Sequence, residues 1–288
     1  MSNAKSGGYV LTLDDIDDVA VRISELWTRY NTERRNAITL NEEARKFTYA
    51  TDVDATSAAD LPHKNRTHQP KLTQIADTLK SQYFEASLSM PDFFKFPPPR
   101  AVNNAVAVAM EKWIRVKLEQ RKFRETTGRQ LINDYVDYGN CFVTVDYIIE
   151  RDNRGRVRYK GPSWNRVSPM NIVFNPREEF KKGIKIEKKL FHISDIKEFP
   201  LTYPNSGFKE EVINKAIDTR HPEGLDEWVE VVKNRGINMD GYGGFDLYFK
   251  QDMAEILIYR GDVFNPTTGE TQRNRVVYVM DKAHVIRN

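Results

Sequence analysis

The chain comprises 288 residues, 40% hydrophobic and 30% charged, enough for one large domain or two smaller ones around a real core. Its 44 Lys and Arg against 41 Asp and Glu leave a net charge of +3, without the plain basic excess of a dedicated nucleic-acid binder. One cysteine excludes an internal disulfide framework, no apolar run approaches the ~20 residues of a membrane span, and the polar start MSNAKSGG does not read as a signal peptide.

The expected class is α+β: a flexible N-terminus over residues 1–12, a helical part over 13–138 and a strand-rich part with β-hairpins over 139–288. Thr12 has the chemistry of a helix cap, and Asp14, Asp15, Asp17 and Asp18 suit the positive end of the helix dipole better than a metal, because adjacent helical carboxylates diverge. That helix extends to about Arg34 with Val19, Ile23, Leu26 and Trp27 as its apolar stripe, and a second piece covers 40–49. A polar loop over 51–69 leads to Pro70, which suits a helix start. Leu72, Ile75, Ala76, Leu79 and Tyr83 then mark an amphipathic helix over 71–90. Phe93, Phe94 and Phe96 precede Pro97-Pro98-Pro99, which cannot be helix interior and fits either a buried corner or a partner-docking patch. From Arg100 to about Asp137 the pattern is helical, with Val102, Val106, Met110, Trp113 and Ile114 expected to face a core. A break is expected near Thr126-Thr127-Gly128.

Gly139-Asn140 is a helix stop, since both residues tolerate the left-handed conformation. A strand follows over 141–149, with Val143, Val145, Tyr147 and Ile149 on one face and Phe142, Thr144 and Asp146 on the other. Cys141 at its start is expected to be a small buried residue. Asp152-Asn153-Arg154-Gly155 is turn chemistry and predicts a hairpin. On the return strand Val157 and Tyr159 oppose Arg156, Arg158 and Lys160, and Arg154 extends the cationic row. Such a row fits a face that tracks a phosphate backbone, or a solvated face that discourages edge-to-edge pairing.

Beyond it, 184–193 is expected as a half-buried strand, with Ser194 capping a short helix that holds Ile196 and Phe199. Helices are expected over 208–217 and 225–232, the latter with Trp228, then a glycine-rich loop over 236–244. Strands close the chain over 246–264, 275–280 and 283–287, with a turn at Asn265-Pro266-Thr267-Thr268-Gly269.

Sites of turnover are hard to find. The loop Gly241-Tyr242-Gly243-Gly244 is not Gly-x-Gly-x-x-Gly, no Walker A sequence occurs, and a calcium loop around Asn238-Met239-Asp240-Gly241 fails at its first and last ligand positions, Gly236 and Leu247. His63, His68, His192, His221 and His284 are scattered, with no cysteine or close carboxylate to complete a metal set. Glu187-Lys188-Lys189 supplies a Glu-x-Lys of the kind used by metal-dependent nucleases, where Glu187 would hold Mg²⁺, Lys189 would stabilise developing charge and Asp146 would be the partner acid. No catalytic residue, metal or cofactor is expected on the main reading below.

Three segments, in order, resemble the wing region of portal proteins from tailed bacteriophages, especially the short-tailed and crAss-like types. They are the helical block over 41–88 with HQPKLTQIADTLKSQYF, the helix-to-hairpin passage LINDYVDYGNCFVTVDYIIE followed by VSPMNIVFNP, and the closing hairpin EILIYRGDVFNPTTGETQRNRVVYVMDKAHVIRN. The resemblance spans most of 40–288. It implies a structural subunit of a homo-oligomeric, dodecameric ring at one capsid vertex of the virion, assembled in the bacterial host cytoplasm. Such a ring contacts the major capsid protein, docks the terminase and later the tail adaptor, passes double-stranded DNA non-specifically during packaging and ejection, and touches no membrane. A small net charge fits a pore in which DNA slides, since phosphate contacts set grip. Family members continue into a pore-lining stem helix and a clip, expected here after residue 288. A nuclease using Glu187 and Lys189, or a virion adaptor that forms no ring, is the alternative.

Overall fold

A computed structural model describes residues 11–12, 16–49, 71–90, 93, 95, 104–152, 154–181, 183–203, 206–219, 253–265, 269–282 and 284–287. The expected helices over 225–232, the glycine-rich loop over 236–244 and the polar loop over 51–69 lie outside them. The architecture is mixed α+β, a helical N-terminal half followed by strands. The chain divides into two units: one of Met1–Arg35, Ile148–Tyr159 and Asn171–Asn288, the other of Asn36–Tyr147 and Lys160–Met170.

The first unit is built on β6 (Met253–Asn265). Its run Ala254 to Tyr259 is buried on both faces, which is why it is apolar almost throughout rather than alternating. The sheet order is β4-β5-β6-β7-β8, from β4 (Ile172–Phe174), β5 (Lys185–His192), β7 (Glu270–Met280) and β8 (His284–Arg287), all antiparallel. β5 pairs with β6 only as far as Lys185 opposite Arg260. The open edge of β6 beyond it is covered by β1 (Leu11–Thr12), which runs parallel with Leu11 opposite Val263 and Thr12 opposite Phe264. Thr12 is therefore a strand residue and not the expected helix cap.

Helix α1 (Ile16–Glu33) lays Val19, Ile23, Leu26 and Trp27 on one face of this sheet, against Ile186, Leu257, Tyr259, Val277 and Val279. This is the stripe the periodicity predicts. Arg34, just past its end, donates to the Ile172 carbonyl. The opposite face carries Ala254, Ile256, Ile258, Tyr278 and Met280 under α6 (Ile193–Thr202) and α7 (Glu210–Asp218). Odd and even residues of β6 thus enter two different cores, as a two-residue period requires. Each fully buried aliphatic side chain contributes about 1.5–3 kcal/mol. His192, not Ser194, occupies the cap position of α6, and no side chain caps the helix. Phe199 anchors that layer, with ring centroids 5.1 Å from Phe191 and Phe208.

The register of β6 against β7 shifts between Gly261 and Val263, where Asn274 bulges with φ 53° and donates its N–H to Asp262 Oδ1 at 3.0 Å. Tyr259 folds its ring toward Gly261 and donates its hydroxyl to the Asp262 carbonyl at 3.0 Å. A Cβ on Gly261 would stand 2.7 Å from that hydroxyl, so any larger residue must displace the Tyr259 ring.

The second unit contains α2 (Arg35–Tyr49), α3 (Lys71–Leu88), α4 (Asn104–Gln120), α5 (Arg129–Tyr138) and the base of the hairpin formed by β2 (Phe142–Arg151) and β3 (Val157–Val167). The expected helix break falls slightly earlier than Thr126. Arg121 to Phe123 form a turn with Lys122 at φ 49°, and a π-helical turn over Arg124–Gly128 then runs straight into α5. Gly139, at φ 75°, ends α5 as expected.

Polar contacts hold this unit together. Lys80 Nζ lies 2.9 Å from Asp137 Oδ1, and Tyr49 donates to Asp137 Oδ2 at 2.9 Å. Arg166 forks onto Asp134 at 2.5 and 2.6 Å, Arg121 donates to Ser163 at 3.0 Å and Thr127 to the Trp164 carbonyl at 3.0 Å. Val106, Met110 and Trp113, expected to face a core, are exposed, and so are Leu72, Ile75, Leu79 and Tyr83. The faces that pack are instead Thr73, Ala76, Lys80 and Phe84 on α3 and Ala107, Glu111 and Leu118 on α4.

Candidate nucleic-acid interface

The hairpin's turn is organised by Asp152. Its Oδ1 accepts the backbone N–H groups of Arg154 (2.9 Å) and Arg156 (2.8 Å), and its Oδ2 accepts Arg156 Nε at 3.1 Å. The Asp152 N–H donates to the Arg156 carbonyl, the Gly155 N–H to the Asp152 carbonyl, and Gly155 takes φ 76°. An acidic residue at this position lets one side chain satisfy the turn's donors, which is why Asp-Asn-Arg-Gly reverses the chain. The same N–H groups, that of Arg156 foremost, hold the Asp152 carboxyl below the usual range.

Arg154, Arg156, Arg158 and Lys160 are all exposed, as the alternation predicts, while Tyr159 between the last two is buried. Arg156 differs from its neighbours because its guanidinium is turned back on Asp152. Arg154 in the turn and Arg158 and Lys160 on β3 therefore remain directed at solvent, a row suited to successive phosphates but too small a charge to define a strong site alone.

The faces of the hairpin invert the usual arrangement. Thr144 donates to the Asn165 carbonyl, Asn165 Nδ2 lies 3.4 Å from Asp146 Oδ2, and Ser163 is buried. Val143, Val145 and Tyr147 are exposed, although they form the apolar face. Cys141 is also exposed, correcting the expectation of a buried thiol, because the left-handed Gly139 releases the chain into a turn before β2 begins. Partial burial, then the charge of Asp134, pushes its thiol upward from the ordinary value.

The Glu-x-Lys of the alternative acidic site lies on β5. Glu187 and Lys189 lie on β5 opposite Ile258 and Ile256, so both side chains share the face that α6 and α7 cover. Glu187 is buried, and Lys189 Nζ stands 5.0 Å from the Phe191 ring centroid. Asp146 belongs to the other unit. Among the described residues no group of three or more His, Cys, Asp or Glu is placed to hold a metal ion.

Sequence reasoning missed a buried ion pair: Lys188 Nζ lies 2.9 Å from Glu255 Oε2, with Trp27 beneath the ammonium at 5.9 Å. The signal available was two charges embedded in apolar strands, but their pairing depends on register. A cleft of about 310 Å³ also opens where α4 ends, lined by Phe93, Leu118, Phe123, Arg115, Lys122 and Arg124. Arg124 is already committed to the Leu88 and Ser89 carbonyls there. No helix among the described residues is long and apolar enough to cross a membrane. The sequence matches no protein-family model and no curated protein.

Proposed function

We propose that this chain is a structural subunit of a phage portal ring, contributing the wing that surrounds the DNA passage at the capsid vertex. The observation that carries the reading is the passage from α5 through Gly139 into the β2–β3 hairpin and on to the Ser168-Pro169-Met170 turn and β4. It follows the helical block and precedes the β6–β7–β8 meander, in the order in which the sequence resembles portal wings. Exposed apolar faces on α3, α4 and β2 support an assembling protein rather than an isolated one. The reading extends to a dodecamer that contacts the major capsid protein, docks the terminase and the tail adaptor, and passes DNA without catalysis. Burial of Glu187 favours this over nuclease chemistry.

Native mass spectrometry of the full-length protein tests it. One closed high-order oligomer supports the ring. A monomer, or Mg²⁺-dependent DNA cleavage abolished by Glu187→Ala, overturns it.

A further inference from the structure

The cleft of about 310 Å³ at the end of α4 lies within the second unit and is shaped by two consecutive backbone irregularities. Lys122 takes φ 49°, a left-handed conformation uncommon for a residue with a Cβ. The π-helical turn over Arg124–Gly128 follows at once, closed by the Gly128 N–H donating to the Phe123 carbonyl at 2.7 Å. Its last residue admits no side chain without movement, because a Cβ on Gly128 would stand 2.8 Å from Leu88 Cδ1 and 3.1 Å from the Phe123 carbonyl. Both conformations cost free energy against a plain α-helix, and such departures concentrate where a chain shapes a binding site.

These turns bring Lys122 and Phe123, neighbours in sequence, into the lining of one cleft. Phe123 lies nearly parallel to Phe93, 10° between planes with centroids 6.4 Å apart, and meets Trp164 edge-on at 5.9 Å. Leu118, 8% exposed, adds an apolar wall. Of the cations in the lining, Arg124 is committed to the Leu88 and Ser89 carbonyls, and Arg115 lies 3.7 Å from Glu111. The Lys122 side chain is exposed and makes no ion pair or hydrogen bond among the described residues. Glu119 and Glu125 also line the cleft, so three cations accompany two carboxylates and one positive charge is left over.

We propose that this cleft binds a planar aromatic ring joined to an anionic group, the aromatic ring stacking on Phe123 and the anion meeting the Lys122 ammonium. The volume stands at the lower end of the ~300–1,000 Å³ of small-molecule sites, enough for one ring system with a short arm. Stacking on a phenyl ring is open to any flat π system, and the free ammonium beside it calls for a negative charge that a neutral ligand lacks. A bare inorganic anion would leave the phenyl rings unused and meet two carboxylates. A cation would meet three positive groups, and no metal-binding cluster exists among the described residues. The two carboxylates suit N–H donors on the ring, as an adenine or an indole offers. Duplex DNA keeps its base faces in the stack, so this site is separate from the cationic row of the hairpin. The inference stands whether or not copies of the chain assemble.

Isothermal titration calorimetry of the full chain tests it. The joined probes are dAMP and N-acetyltryptophan, and inorganic phosphate and indole are the separate halves. The expected result is one site per chain for at least one joined probe, about tenfold tighter than for either half. Lys122→Asn keeps the left-handed turn, which asparagine tolerates, and weakens that binding about tenfold. Phe123→Leu keeps an apolar side chain but removes the flat face, and binding is lost. A response to dAMP alone assigns a nucleotide, and to N-acetyltryptophan alone an aromatic carboxylate. No binding of either joined probe at millimolar concentration overturns the proposal. So does binding that Lys122→Asn leaves unchanged, or phosphate or indole binding as tightly as the joined probes. Where Phe123→Leu loses the wild-type circular dichroism, Lys122→Asn decides alone.

Discussion

Arg166 grips Asp134 through two parallel bonds, Nε to Oδ2 at 2.5 Å and Nη2 to Oδ1 at 2.6 Å, so one guanidinium on β3 fixes the orientation of α5 beneath the hairpin base. Asp134 is buried and sits in the interior of a helix, where an unpaired carboxylate is costly. Removing one partner strands the other. Arg166→Met is therefore expected to cost about 3–5 kcal/mol, read as a fall in the urea midpoint at unchanged slope. Arg166→Lys recovers little of this because the fork is lost.

Gly261 and Tyr259 are coupled by the close approach of the ring to the glycine. Gly261→Ala is expected to destabilise the chain by about 1–3 kcal/mol, because the new methyl meets a hydroxyl already committed to the Asp262 carbonyl. In a Tyr259→Phe background the same substitution costs less. A double-mutant cycle by chemical denaturation reads the difference, and strict additivity would show that the hydroxyl is not the obstacle.

Alkaline pH loosens the second unit through Lys80 and Tyr49. Burial pulls the Lys80 ammonium down, but bonds to Asp137 and Tyr49 outweigh it and raise it above the ordinary value. Burial raises the Tyr49 phenol, Lys80 opposes this, and Asp137 raises it further. Both groups hold their protons more tightly in the folded chain. The stability they contribute is complete below the unfolded values near pH 10 and is lost as pH rises through the folded ones. The melting temperature is expected to fall above about pH 10. Lys80→Met lowers it at neutral pH and flattens that alkaline decline.

The basic row has unequal members. Arg158→Ala and Lys160→Ala are each expected to lower the salt slope of non-specific duplex binding by about 0.9. Arg156→Ala changes that slope less, because its charge is engaged with Asp152. Fluorescence anisotropy across a salt series distinguishes them, and equal slopes for all variants would remove the row from any DNA-facing surface.

Cys141 is open to solvent yet has a raised thiol. One thiol per chain is expected to react with Ellman's reagent without denaturant, more slowly than a free thiol at neutral pH. Asp134→Asn speeds it by removing the charge that opposes the thiolate. A thiol that reacts only after unfolding would contradict the exposed position.

Much of the architecture was legible where local chemistry decides. The α1 stripe, the Gly139 stop, the Asp152 turn and the strands β5, β6 and β8 follow from period, conformational freedom and turn residues. The orientation of α3 and α4 was not, because periodicity identifies an apolar stripe without saying what covers it. Val106, Met110 and Trp113 have the spacing of a core face and are exposed. Thr12 was misplaced for a related reason: its cap chemistry is local, while its pairing with Phe264 joins positions far apart in the chain. The cationic row was legible in full, but the return of Arg156 to Asp152 needed the geometry of the turn.

Electron microscopy of the purified full-length protein tests the central claim most directly. A single closed ring with an axial channel wide enough for duplex DNA is expected. Isolated monomers, or a two-fold dimer with no channel, would contradict it.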